Sequence, residues 1–186
     1  MFELIGESGI RGLTIARMAQ HAGISKGIVH HYFRNKEELI TAVVRHGNRV
    51  YSDGIRERLR LSKSPSERLW TIIYGQFSSE VFQAMHLQYY LQVLETAIQY
   101  QGILRTYNAV NARGRLNVAF ALRSLVEPNE VKTTTHTIWN LLEGAWLLAA
   151  AEPNLTKDQL LTSVAAYLKG SVPRFDMSVV ERMPPR

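Results

Sequence analysis

The chain has 186 residues, room for one sizeable domain or one domain plus a small accessory module, and its 46% apolar and 20% charged residues exclude collagen-like, low-complexity and globally disordered classes. It contains no cysteine, which removes disulfides, thiol nucleophiles, thiolate zinc and iron–sulfur clusters together and fits a reducing compartment. The net charge of +6 makes polyanions plausible partners, and it is unevenly spread. Residues 1–64 hold 11 of the 22 Lys and Arg but 6 of the 16 Asp and Glu, an excess of +5 against +1 in residues 65–186. His21, His30, His31 and His46 fall in the same stretch.

The start, Met1 to Glu7, is acidic where a secretion signal would be basic, and the longest apolar run, Gly144 to Ala151, is far shorter than the roughly 20 residues of a membrane span. A cytoplasmic protein without a membrane partner is expected. Strand signals are nearly absent, so the fold class is all-α. Helices are predicted at Met1–Ser8, Thr14–His21 and Ser25–Tyr32, then a long one from Lys36 to about Leu61. Others follow near Pro65–Phe82, Met85–Gln99, Gly102–Val126, Asn129–Ala151 and Thr156–Ser171, after which Pro173 opens a tail ending Met183-Pro184-Pro185-Arg186. Three starts carry capping signals: Asn35 with a carboxylate three residues on, Ser64-Pro65-Ser66-Glu67 read as a capping box, and Thr156 with Gln159 after the breaker Pro153. Gly47 and Gly54 are expected to interrupt the long helix, as a loosening, a bend or an early end. The domain reading is residues 1–46 and 47–186, joined through that helix.

Thr14 to Phe33 has the pattern of a helix-turn-helix. Ile15, Met18 and Ala19 form one apolar stripe, Ala22 is small where two helices meet, and Gly23 can take the positive φ that ends a helix. Ile24 plugs the turn and Ser25 caps the second helix, which carries Ile28 and Val29 inward. Lys26, Gly27, His30 and His31 stay available to a DNA major groove.

The segment from Gly12-Leu13-Thr14-Ile15-Ala16-Arg17-Met18-Ala19 to Tyr32-Phe33-Arg34-Asn35-Lys36-Glu37-Glu38-Leu39 resembles the DNA-binding domain of the TetR family of transcriptional regulators. Gly27 to Lys36, with Leu142 to Leu147, is most similar to the choline-responsive repressors of glycine-betaine synthesis. The resemblance implies an amino-terminal three-helix DNA-binding domain, a helical ligand-binding and dimerisation domain, and a C2 homodimer on a palindromic operator of double-stranded DNA. It places Thr14 and Lys36 at DNA phosphates and Ser25, Lys26, Gly27, His30, His31 and Tyr32 on the recognition helix. His30 stands where the family usually has a phosphate-binding tyrosine, and Tyr32 is the candidate for the partly buried ring of the pair, with packing of His31 and Tyr32 on Phe33 as the other reading. The family's first helix begins further upstream, so the helix at Met1 reads as shortened.

In the remainder, the predicted helix from Asn129 carries Ile138, Trp139, Leu141, Leu142, Ala145, Trp146, Leu148, Ala149 and Ala150 around most of its circumference, so burial on more than one side is expected. That helix and the last one, striped by Leu160, Leu161, Val164, Ala165 and Leu168, suit a four-helix dimer interface. The rings Trp70, Tyr74, Phe77, Phe82, Tyr89, Tyr90, Tyr100 and Tyr107 read mostly as core. Glu95 and Glu143, however, sit among apolar neighbours where an unpaired carboxylate is costly. Trp139, Glu143 and Trp146 at i, i+4 and i+7 could hold an organic cation through ring faces and one carboxylate, with Tyr89 and Tyr90 as further effector candidates. The expected function is a ligand-responsive regulator, a repressor released by its effector. The alternative is an all-helical protein-interaction module without DNA binding. No nucleophile elbow, phosphate loop or zinc-protease spacing is present, so no enzyme, cofactor or metal is expected.

Overall fold

The structure, a computed structural model, describes residues 9, 10, 12–77, 84–152 and 154–182, and the expectations for Met1–Ser8, Phe82, Pro153 and the tail from Met183 lie outside them. The described residues form nine α-helices and no strand: α1 Ile15–Ala22, α2 Lys26–Tyr32, α3 Lys36–Leu61, α4 Pro65–Gln76, α5 Ala84–Gln99, α6 Gln101–Leu122, α7 Val131–Ala151, α8 Lys157–Ser171 and α9 Ser178–Arg182. They divide into two compact units, residues 1–50 with 84–110 and residues 51–83 with 111–186.

In the first unit, Thr14 caps α1 by accepting from the Arg17 N–H at 3.2 Å. Gly23 ends α1 at φ 65°, ψ 28°, the left-handed region that glycine enters without a Cβ penalty. Ser25 caps α2 by accepting from the Ile28 N–H, and Asn35 caps α3 by accepting from the Glu38 N–H at 2.9 Å. Ile10, Leu13, Leu39, Ile40, Val43 and Val44 share one core with Val93, Ala97 and Ile103 of α5 and α6. The Ile10 N–H donates to the Gln92 side chain at 2.7 Å.

Several sequence expectations are corrected here. Ile28 is 47% exposed and Ile24 41% exposed, so neither fills the core, and Ala22 is exposed as well. Successive helical residues are about 100° apart, and with Val29 pointed into the core at 2% exposure the seven-residue α2 turns Ile28 away. The long helix α3 does not end at Gly47 or Gly54; it runs unbroken to Leu61.

In the second unit, Ser64 accepts from the Glu67 N–H at 3.1 Å with Pro65 in the first turn, as the sequence predicts. The Glu67 carboxylate, however, accepts from the Lys63 N–H at 2.7 Å, one residue before the cap, so the box is not reciprocal. At α8 the box is complete: Thr156 and Gln159 each satisfy the other's backbone N–H. Helix α6 stops at Leu122 and the chain turns so that Leu125 and Val126 are buried. Helix α9, which the sequence reading left as tail, starts where Asp176 accepts from both the N–H and the hydroxyl of Ser178, and the Asp176 N–H donates to Ser66 on α4 at 3.0 Å. Helix α7 buries Ile138, Trp139, Leu142, Ala145, Trp146 and Ala149, while Leu141, Leu147 and Leu148 remain exposed, so within this chain it is not covered all round.

Candidate nucleic-acid interface

Helix α2 is short, capped and almost bare. Of Lys26 to Tyr32 only Val29 is buried; Lys26, Gly27, Ile28, His30, His31 and Tyr32 are exposed. With Val29 inward, Gly27 and His31 occupy the outward centre, Lys26 and His30 one flank, and Ile28 and Tyr32 the other. Tyr32 is 72% exposed, which corrects its reading as a partly buried ring; its ring meets that of His31 edge-to-face at 5.5 Å. Phe33 alone of this aromatic run turns toward the core.

The Thr14 and Ser25 hydroxyls each accept a helix N–H and keep their own proton to donate. Thr14 and Ser25 are exposed and Lys36 is half-buried in the first turn of α3. The two carboxylates beside Lys36 turn back onto backbone N–H groups: Glu37 accepts from Gly102 at 3.1 Å and Glu38 from Arg34 at 2.8 Å. Both acids beside Lys36 are thereby occupied by backbone donors. The eight residues expected at DNA are thus placed in the first unit at two helix starts and along α2, with Lys36 opening the next helix.

The effector candidates fall in both units. Tyr89 and Tyr90, half-buried on α5, belong to the first, and burial pushes the Tyr89 hydroxyl well above the ordinary tyrosine pKa, so it stays a neutral phenol. Trp139, Glu143 and Trp146 share one face of α7 in the second, with both indoles buried and Glu143 half-buried between them in sequence. The Trp139 ring lies over Gly114 and its Nε1–H donates to the buried Asn111 side chain at 3.2 Å. Glu95 is exposed, which removes the premise that its carboxylate is buried. A surface depression of about 370 Å³ in the second unit is lined by Lys63, Arg68, Phe120 and Arg123 and by none of the five effector candidates.

The sequence reading missed two residues. Asn111 carries no signal of its own. Ile28 reads as core from its sequence, and its exposure is visible only in the folded chain. No group of three or more His, Asp or Glu among the described residues could hold a metal ion, and none of their helices is long and apolar enough to cross a membrane.

A capped helix-turn-helix with a basic, solvent-facing second helix, followed by a helical bundle, defines a DNA-binding transcriptional regulator. Residues 2–43 match the family model for bacterial regulatory proteins of the tetR family. The chain is similar to the HTH-type transcriptional regulator BetI of Cronobacter sakazakii, 29% identical over 176 residues (91% of this chain, 87% of that one), and to BetI of Brucella anthropi, 28% identical over 153 residues (81% and 79%). Its fold is similar to that of a transcriptional regulator from Pseudomonas aeruginosa PAO1 (TM-score 0.81, 19% identity, 97% and 88% covered). A second solved neighbour, a regulator from Saccharomonospora viridis in complex with choline, has TM-score 0.80 at 16% identity, with 92% of each chain covered. The chain carries a tetR-family amino-terminal domain and is a ligand-responsive transcriptional regulator. The relatives it resembles are regulators and not enzymes.

Proposed function

We propose that the chain is a ligand-responsive repressor that holds a palindromic operator as a C2 homodimer in the cytoplasm and lets go when a small organic cation binds. The observation that carries the reading is the outward surface of α2, where Val29 alone is spent on the core. The amino-terminal end of α2 enters the major groove, Lys26 donates to a base edge, and Gly27 lets the backbone come close. His30, His31 and Tyr32 line the groove walls. Thr14 and Lys36 hold phosphates, both at helix starts where N–H groups and positive potential favour an anion, and Ser25 opens the recognition helix.

The dimer is supported by exposed apolar positions on α7, Leu141, Leu148 and Ala151, and by the exposed small face of α8, Thr162, Ala166 and Gly170. Two such helices from each subunit form a four-helix seam. For the effector, Trp139 and Trp146 offer aromatic faces on either side of the Glu143 carboxylate, a set suited to an organic cation. The choline held by the Saccharomonospora viridis neighbour belongs to that class. By linkage, the cation releases DNA only by binding the DNA-incompetent arrangement more tightly.

The test is fluorescence anisotropy on a palindromic promoter fragment across a salt series, with choline added at fixed salt. Binding should weaken steeply with salt; Lys36→Ala should lower affinity and slope on every sequence, and Lys26→Ala should also change base preference. Choline should release the wild type and fail to release Glu143→Gln, whose DNA affinity stays intact. A protein that is monomeric by sedimentation, or that ignores duplex DNA at low salt, would point to the protein-interaction module instead.

A further inference from the structure

The geometry points to Ile28 as a reader of thymine: its side chain packs against a thymine C5-methyl in each half-site, on the flank of α2 opposite Lys26 and His30. The inference rests on the proposed entry of α2 into the major groove.

Three observations lead there. Ile28 is 47% exposed although its neighbour Val29 is 2% exposed, so the chain leaves it uncovered. It lies on the same outward-facing helix as five of the eight residues assigned to DNA, and it is branched at Cβ, which keeps its side chain close to one rotamer and makes it a stiff probe. Third, Gly27 has no reason inside this chain to be glycine. A Cβ there would meet only the Ser25 Oγ, at 3.7 Å, and no positive φ is required at the position. A glycine inside a helix costs stability relative to alanine, so a missing side chain at the outward centre of α2 serves a neighbour outside the chain. With Gly27 letting the backbone approach, the branched side chain of the next residue reaches the base edges. The apolar group that B-DNA presents in the major groove is the thymine C5-methyl. Lys26 and His30 are suited to acceptors on purines, so the two flanks of one helix read two chemistries.

The experiment uses the full chain. Wild-type protein first selects its preferred duplex from a randomised palindromic pool. Each thymine of that duplex is then replaced in turn by deoxyuridine, which removes the methyl and keeps every hydrogen bond, and affinity is measured for wild type, Ile28→Ala and Ile28→Val. One symmetric thymine position should weaken wild-type binding roughly four-fold per half-site when demethylated, about the effect of one buried methyl. In Ile28→Ala that penalty should vanish at that position alone, as a double-mutant cycle requires, and selection by the variant should lose the thymine there. Should Ile28→Ala fail to fold by circular dichroism, Ile28→Val is read instead and should show a smaller penalty at the same thymine. Specific binding with no deoxyuridine penalty anywhere, or a penalty unchanged in the variant, overturns the assignment of Ile28 while leaving the DNA reading standing. A wild type that enriches no duplex overturns both.

Discussion

The Glu37 carboxylate accepts a hydrogen bond from the Gly102 backbone N–H at 3.1 Å, tying the first turn of α3, next to Lys36, to the first turn of α6 across 65 residues of chain. An acceptor with negative charge at a helix start satisfies an N–H that the helix itself cannot, and it complements the helix dipole. Gly102 is as small as that contact allows, since a Cβ would stand 2.9 Å from the Thr41 Oγ1 and 3.2 Å from the Glu37 carboxylate.

Replacing Glu37 by Ala should therefore destabilise the first unit by about 1 kcal/mol, the scale of a partly exposed charge-assisted hydrogen bond. Hydrogen exchange read peptide by peptide should show faster opening at Gly102. Unchanged protection there would mean that the bond contributes nothing to the unit.

Gly27→Ala separates folding from recognition. The site has room for the methyl within the chain, and the helix gains roughly 0.5–1 kcal/mol in propensity, so the melting temperature should hold or rise slightly. Affinity for the selected duplex should fall by ten-fold or more if the backbone lies against base edges. A variant that is less stable but binds DNA normally would reverse the assignment.

Gly114→Ala should be among the most damaging single changes in the second unit. The new Cβ would sit 2.0 Å from the Trp139 ring, which is also held by its bond to Asn111. Overpacking of this kind costs about 1–3 kcal/mol, and the indole must shift to relieve it. Thermal unfolding and tryptophan emission should both report the change; an unaltered spectrum with full stability would contradict this packing.

Asp176 supplies a pH signature. The hydroxyl and then the N–H of Ser178, with Arg182 nearby, hold its carboxyl below the ordinary range although it is exposed. A carboxylate with a lowered folded-state pKa contributes stability that is present above its unfolded pKa and lost as pH falls through the folded one. Asp176→Asn should thus narrow the stability gap between neutral and acid pH below about pH 4, measured as melting temperature against pH. Parallel curves for the two proteins would count against the cap.

The amino-acid order by itself determined the local features: the all-α class, the caps at Ser25, Asn35, Ser64 and Thr156, the αL turn at Gly23, and the helix-turn-helix with its basic bias. Those depend on residues within one or two turns of each other, where hydrogen-bond geometry and backbone sterics act alone. What only the tertiary structure decided was direction and company. Ile28 and Val29 are equally apolar on paper, and the core had room for one. Glu95 and Glu143 read alike, yet the first is exposed and the second half-buried. Val93, Ala97 and Ile103 complete a core begun by Ile10 and Leu13, and Trp139 found Asn111 and Gly114. Such pairings join residues tens of positions apart, and they are set by close packing of whole helices, which no local pattern encodes.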